Sequence, residues 1–252
     1  MKNSANEQLR KTHTVQAIRQ RLKEGVQHSY LKDFIYGAID GAVTTFAVVA
    51  GVTGAQLSNN IILILGLANL LGDGFSMAVS NFLGTRAEEQ MREQTKLMEK
   101  NHIREIPEGE KEEVRQIFFN KGFRGQELEK AVEVITADKT RWVNTMLQEE
   151  FGFPLQGPSA LKAGLSTFAA FILIGIIPLL PFLALLLFPS LNFNSFLISS
   201  IMTGVAFFSV GAFKASYTGQ RWYYAGLETL LIGGSAATLA YLVGYVLKGI
   251  TG

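Results

Sequence analysis

Four side chains in the first third of the chain could hold a cation in otherwise apolar surroundings. Asn69, Asp73 and Met77 recur every four residues in GLANLLGDGFSMAVSNFLGTRAEE, residues 66–89. Residues four apart share one helix face, so an amide, a carboxylate and a thioether form a stripe that continues to Ser80. The preceding apolar segment carries a second stripe of Asp33, Tyr36 or Gly37, Asp40 and Thr44. If the stripes face each other, Asp40 and Met77 offer one hard oxygen and one soft sulfur to the same ion. That mixture suits a first-row transition metal better than magnesium or calcium, which take oxygen alone. Ionisable groups at bilayer depth are costly and mark ion or proton paths. The competing readings are a methionine that only packs and carboxylates that only cap a neighbouring helix.

A second constellation lies further on. Glu99 and His102 are three apart, as are Glu110 and Glu113, and Met146 stands four before Glu150 with Glu149 beside it. Each set falls on one face of its own helix. Three such faces brought together make a carboxylate-rich pocket with one imidazole and one thioether. By spacing alone the same charges also fit a solvated surface.

The composition says what must position these groups. Of 252 residues, 48% are hydrophobic and only 17% charged, against about a quarter in soluble domains. Several runs of 20 or more residues are almost free of charge, the pattern of an integral membrane protein. The expected architecture is an all-α membrane protein with five transmembrane helices and a cytosolic three-helix insertion between helices 2 and 3. Expected spans are about Phe34–Ala55, Ile61–Leu83, Leu161–Phe188, Phe193–Phe213 and Gly226–Leu247. Each of the first two has about 22 residues, or about 33 Å of helix, enough to cross a bilayer. Pro178 and Pro181 should kink or end the third, Pro189 should close it, and Asn192 and Asn194 suit the turn that follows.

The domains are then 1–32, 33–83, 84–158 and 159–252. Residues 5–32 alternate Leu9, Val15, Ile18, Leu22 and Val26 with Arg10, Lys11, Arg19, Arg21 and Lys23. This predicts an amphipathic helix, either on the membrane surface or packed on the cytosolic domain. Residues 84–158 hold most of the acidic residues, and Pro107, Gly122, Gly125, Gly152 and Pro154 divide them into helices at about 85–105, 108–121 and 125–151. Lys and Arg number seven before the first span and 12 in the central domain, with none in the turns after spans one and three. The positive-inside rule therefore puts the amino terminus and the central domain in the cytosol. Five spans enclose a path poorly, which predicts a homodimer with the path at the subunit interface.

Several functions are excluded. No cysteine is present, so disulfides, thiolate metal sites and cysteine nucleophiles are out. The polar first 30 residues read as lacking a cleavable signal peptide. No Walker pattern, phosphate-binding glycine loop or Ser/His/Asp arrangement occurs, and His13, His28 and His102 are too scattered for a zinc enzyme. Basic residues are interleaved with acidic ones, which argues against nucleic acid. The chain is expected not to be an enzyme. A di-iron bundle would need paired Glu-x-x-His motifs, and only Glu99-x-x-His102 is present. A membrane-anchored divalent-metal sensor or buffer is the alternative to a transporter.

Asp40-Gly41 leading into TTFAVVAG, then Gly72 to Met77 leading into Ala87-Glu88-Glu89, resembles the vacuolar iron transporter family. So does the layout of two spans, an acidic helical insertion and three spans with a Pro-Leu-Leu-Pro turn. The resemblance implies a homodimeric exchanger in the bilayer that exports Fe²⁺ from the cytosol against protons, with Mn²⁺, Co²⁺ or Zn²⁺ as related ions. It implies a cell membrane in a bacterium or a vacuolar-type membrane in a eukaryote. The family's membrane aspartate and methionine fall on Asp40 and Met77. Its second-span glutamate falls on Asn69, which removes one titratable ligand, and Asp73 stands one turn on as a substitute. In plant-type members the cytosolic domain binds metal through residues that fall on Glu99, Glu110, Glu113, Met146 and Glu150. Two more family ligands fall on His102, still competent, and on Leu147, which is not; Glu149 is adjacent.

Overall fold

The computed structural model describes residues 10–24 and 28–250. Among them, five helices are long and apolar enough to cross a membrane. The chain divides into two compact units, one of Tyr30–Leu97 with Pro158–Gly252 and one of Met1–Ser29 with Met98–Gly157.

In the first unit, α2 (Leu31–Gly54) is the central helix, following a short α1 (Val15–Glu24) that belongs to the other unit. Its glycines and alanines let neighbouring backbones come close, which is how helices associate where lipid is as apolar as the side chains. A Cβ placed on Gly41 would stand 2.5 Å from the carbonyl oxygen of Phe171 and 2.9 Å from its Cα, both on α7 (Ala160–Gly175). On its other side, Gly51 and Gly54 meet Ala240 and Tyr241 of α10 (Trp222–Leu247). A core of Phe46, Val49, Ile62, Leu179, Phe182 and Phe207 fills the space between helices. The second span lies in α3, a single helix from Asn59 to Glu105. Its Asn81 Nδ2 donates to Asp33 Oδ1 at 2.9 Å and to Thr167 Oγ1 at 2.7 Å, which ties α2, α3 and α7 by one amide.

The third span breaks where the prolines predict. After α7 comes a 3₁₀ turn, Ile177–Leu179, and then α8 (Leu180–Leu187). Asn194 caps α9 (Ser195–Thr218), its Oδ1 accepting from Leu197 N at 3.0 Å. Gly219 ends α9 in the left-handed conformation at φ 71°, which costs glycine nothing.

In the second unit, the end of α3 joins α4 (Pro107–Asn120), α5 (Gly125–Thr136) and α6 (Lys139–Glu149). The helix expected over 125–151 is therefore two. Asp138 makes the break: its Oδ1 accepts from Arg141 N at 2.7 Å and starts α6 afresh. The helix expected over 85–105 is likewise not separate, because no residue between Leu83 and Glu88 interrupts α3. Of the basic amphipathic helix expected over 5–32, the described residues show α1 over Val15–Glu24, and Leu31 already opens α2. Leu9 and Val26 of that expectation lie outside the described residues. Ile103, Val114, Leu128, Val132, Trp142, Val143, Met146 and Leu147 form the core of this unit.

The close approach of α2 and α7 gives a direct test. Gly41→Ala forces backbone apart and should cost about 1–3 kcal/mol, seen as a lower melting temperature in detergent. Gly84→Ala, where nothing lies within 4 Å, should leave the melting temperature unchanged or slightly raised.

Candidate metal centre

Three short sequence spacings build the cluster. Glu99 and His102 occupy one face of the last turns of α3, and Glu110 and Glu113 one face of α4. Ile106–Pro107 makes the corner that turns α4 back, with proline at the first helical position where its missing N–H is not needed. His102 Nδ1 lies 3.3 Å from Glu110 Oε1 and 3.8 Å from Glu99 Oε1. Ligand atoms of Glu99, His102 and Glu110 all fall within 4.8 Å of one another.

Burial separates these carboxylates from the rest. Glu99 and Glu110 are each 1% exposed, and the Oε2 atom of each is buried without a hydrogen-bond partner. The exposed carboxylates behave differently. Arg115 binds Glu129 at 2.9 Å and also pairs with Glu112, Lys111 reaches Glu108 at 2.9 Å, and Lys121 reaches Glu149 at 2.5 Å. Among the described residues, the ion pairs of Glu99 and Glu110 run to His102 alone.

Glu99 lies outside the apolar run of α3, which ends at about Leu83 in the sequence. Burial, then repulsion from Glu110, Glu150 and Glu113, pushes its carboxyl up from the ordinary 4.5 to about 8. Burial and Glu113 raise Glu110, partly offset by His102. Glu150 is raised by burial and by its neighbours Glu113 and Glu110. Glu99, His102 and Glu110 thus come together, and the charges of the exposed Glu113 and Glu150 act on them. A buried set of this kind is satisfied by protons or by a divalent cation.

Met146 and Glu149 are the remaining residues expected to ligate. Met146 is fully buried in the apolar core, as is Leu147. Glu149 turns to Lys121, so the structure does not bring it into the cluster as a replacement for the ligand lost at Leu147.

In the membrane unit, Asn69, Asp73 and Met77 are half-buried along α3, and the Asn69 Nδ2 is buried without a partner. Asp40 is half-buried on α2, near enough to Asp73 for the two charges to repel. It lines a cavity of about 600 Å³ with Ile35, Tyr36, Lys214 and Tyr217. The stripe expected on α2 is divided: Asp33 is bonded to Asn81, Gly37 packs on Thr167, and the Thr44 hydroxyl donates to its own helix at Asp40 O. The fourth span expected to stop at Phe213 continues as α9 to Thr218 and so takes in Lys214, which reaches Glu228 of α10 at 3.3 Å. A lone lysine one helical turn inside a span end was the available signal.

These features define a polytopic α-helical membrane protein with a second helical unit that holds a buried carboxylate–imidazole cluster. The chain belongs to the VIT family, which matches residues 31–245. It is similar to a vacuolar iron transporter of Toxoplasma gondii, 33% identical over 229 residues, covering 88% of this chain and 76% of that one. A vacuolar iron transporter of Plasmodium falciparum is 31% identical over 236 residues, covering 90% and 86%. Vacuolar iron transporter 1 of Arabidopsis thaliana is 29% identical over 219 residues, covering 86% of each.

The raised carboxyl of Glu99 predicts a pH dependence of known sign. Between its ordinary 4.5 and about 8 the folded protein keeps a proton that the unfolded chain has released. The stabilisation is complete below pH 4.5 and is lost as pH rises through 8. Metal-free protein should therefore melt at progressively lower temperature from pH 5 to pH 9, followed by the fluorescence of the buried Trp142. Glu99→Gln should flatten that decline, and a divalent ion should reverse it at high pH. An equal decline in Glu99→Gln would contradict the assignment.

Proposed function

We propose that the chain is a secondary transporter that moves Fe²⁺, and related ions such as Mn²⁺, out of the cytosol in exchange for protons. The observation that carries this reading is the pair of half-buried carboxylates Asp40 and Asp73 on two membrane helices. Among the described residues neither has a Lys or Arg within ion-pair distance; Lys214, beside Asp40, is taken by Glu228. Carboxylates so placed need a proton or a cation. A proton and a divalent ion cannot both occupy the same oxygens, so binding one releases the other, and that competition is the coupling. Met77 and Asn69 supply a thioether and an amide from the same face of α3 as Asp73. Asn69 in place of a glutamate leaves Asp73 as the titratable group of that stripe.

The Glu99–His102–Glu110 cluster, with Glu113 and Glu150, gathers divalent ions on the cytosolic side and raises their local concentration. The relatives named vacuolar iron transporters support iron as the cargo. For orientation, Lys214 in the last turns of α9 and Arg221 in the α9–α10 connection lie near exposed Tyr217, Trp222 and Tyr224 in sequence, an aromatic and basic border of the cytosolic kind. The cavity at Asp40 supports the homodimer in this reading. Its rim residues Tyr36 and Tyr217 are 63% and 65% exposed, and a second copy would shield the carboxylate from lipid. A membrane-tethered sensor would use the outer cluster but would have no use for carboxylates within the spans.

Asp40→Ala should abolish metal-driven proton flux in proteoliposomes while leaving the outer cluster able to bind metal. Flux at the wild-type rate in this variant would rule out the assignment.

A further inference from the structure

We propose that His102 sets which divalent ions the outer cluster accepts, favouring borderline ions such as Fe²⁺, Co²⁺, Ni²⁺ and Zn²⁺ over Mn²⁺, Mg²⁺ and Ca²⁺. This rests on the reading that the cluster binds the transported ion. His102 is the one nitrogen donor in a set otherwise built from carboxylates. Its Nδ1 is directed at both buried members, 3.3 Å from Glu110 and 3.8 Å from Glu99. Each of those glutamates keeps a buried oxygen with no partner, so the pocket has acceptor capacity that the imidazole alone does not satisfy.

The imidazole ring is 44% exposed, so its position is not forced by core packing as that of Met146 is. An ion entering between Glu99 and Glu110 replaces the imidazole contact to oxygen with a bond to nitrogen. Hard ions gain little from that exchange, since they bind oxygen almost exclusively. Imidazole suits iron, cobalt, nickel and zinc, and their order of affinity steepens as nitrogen replaces oxygen. The preference is therefore a property of one residue on an otherwise hard, acidic site.

The test titrates metal-free, full-length protein in detergent with Co²⁺ and with Mn²⁺, reading Kd by calorimetry. Co²⁺ binds more tightly than Mn²⁺ to most sites, so the change in their affinity ratio is what matters. His102→Glu should lower the Co²⁺/Mn²⁺ ratio by on the order of tenfold, mainly through weaker Co²⁺ binding. His102→Gln, which keeps an oxygen donor without adding charge, should shift the ratio in the same direction. An unchanged ratio in both variants, with binding lost in Glu99→Gln/Glu110→Gln, would overturn the role of His102 and leave the cluster as a metal site. Binding of both ions undiminished in the double variant would overturn the site itself, and this inference with it.

Discussion

Two carboxylates buried against each other without a fixed cation govern this protein. Burial makes each charge expensive, and proximity makes the second more expensive than the first. Glu99 and Glu110 are in that position, each with an orphaned oxygen, although the same unit contains arginines and lysines that pair with exposed glutamates a turn away. Arg115 lies between Glu112 and Glu129, and Lys121 takes Glu149. The helices thus satisfy their surface charges and withhold a partner from the buried ones. A site of this kind is stable with protons at low pH and with a divalent ion at higher pH, and it responds to both.

The membrane unit repeats the theme with different materials. Its helices pack through glycine and alanine, so α2 is held on both sides by backbone contact with α7 and α10. Polar side chains are then free for other work. Asn81 joins three helices through Asp33 and Thr167, while among the described residues Asp40 and Asp73 have no ion pair with Lys or Arg. The exchange of a divalent cation for protons proposed above rests on the same electrostatics in both units.

Much of this was legible in the residue pattern, because the signals are strong where lipid is the solvent. Charge-free runs fixed the five long apolar helices, and Pro178 and Pro181 marked the break in the third span. Spacings of three placed Glu99 with His102 and Glu110 with Glu113, and the Ile106–Pro107 corner was readable as a helix start. Other features depended on tertiary contact. The break at Asp138 rests on one capping hydrogen bond in a region whose helix propensity is otherwise continuous. Whether Met146 packs or ligates is undecided by spacing, since a core methionine and a ligand methionine occupy the same helical face. The charge of Glu149 reads like that of Glu150 until Lys121 is seen to hold it. Lys214 falls one residue beyond the expected span because hydropathy sets the end of a span only to within a turn.

The central claim is that Glu99, Glu110 and His102 together hold one divalent ion. Anomalous diffraction at the cobalt edge, from crystals equilibrated with Co²⁺, tests it most directly. The prediction is a single strong peak at about 2.1 Å, the usual bond length for first-row ions with nitrogen and oxygen donors, from both carboxylates and from a ring nitrogen of His102. Cobalt bound elsewhere on the protein, with no peak among these three side chains, would contradict it.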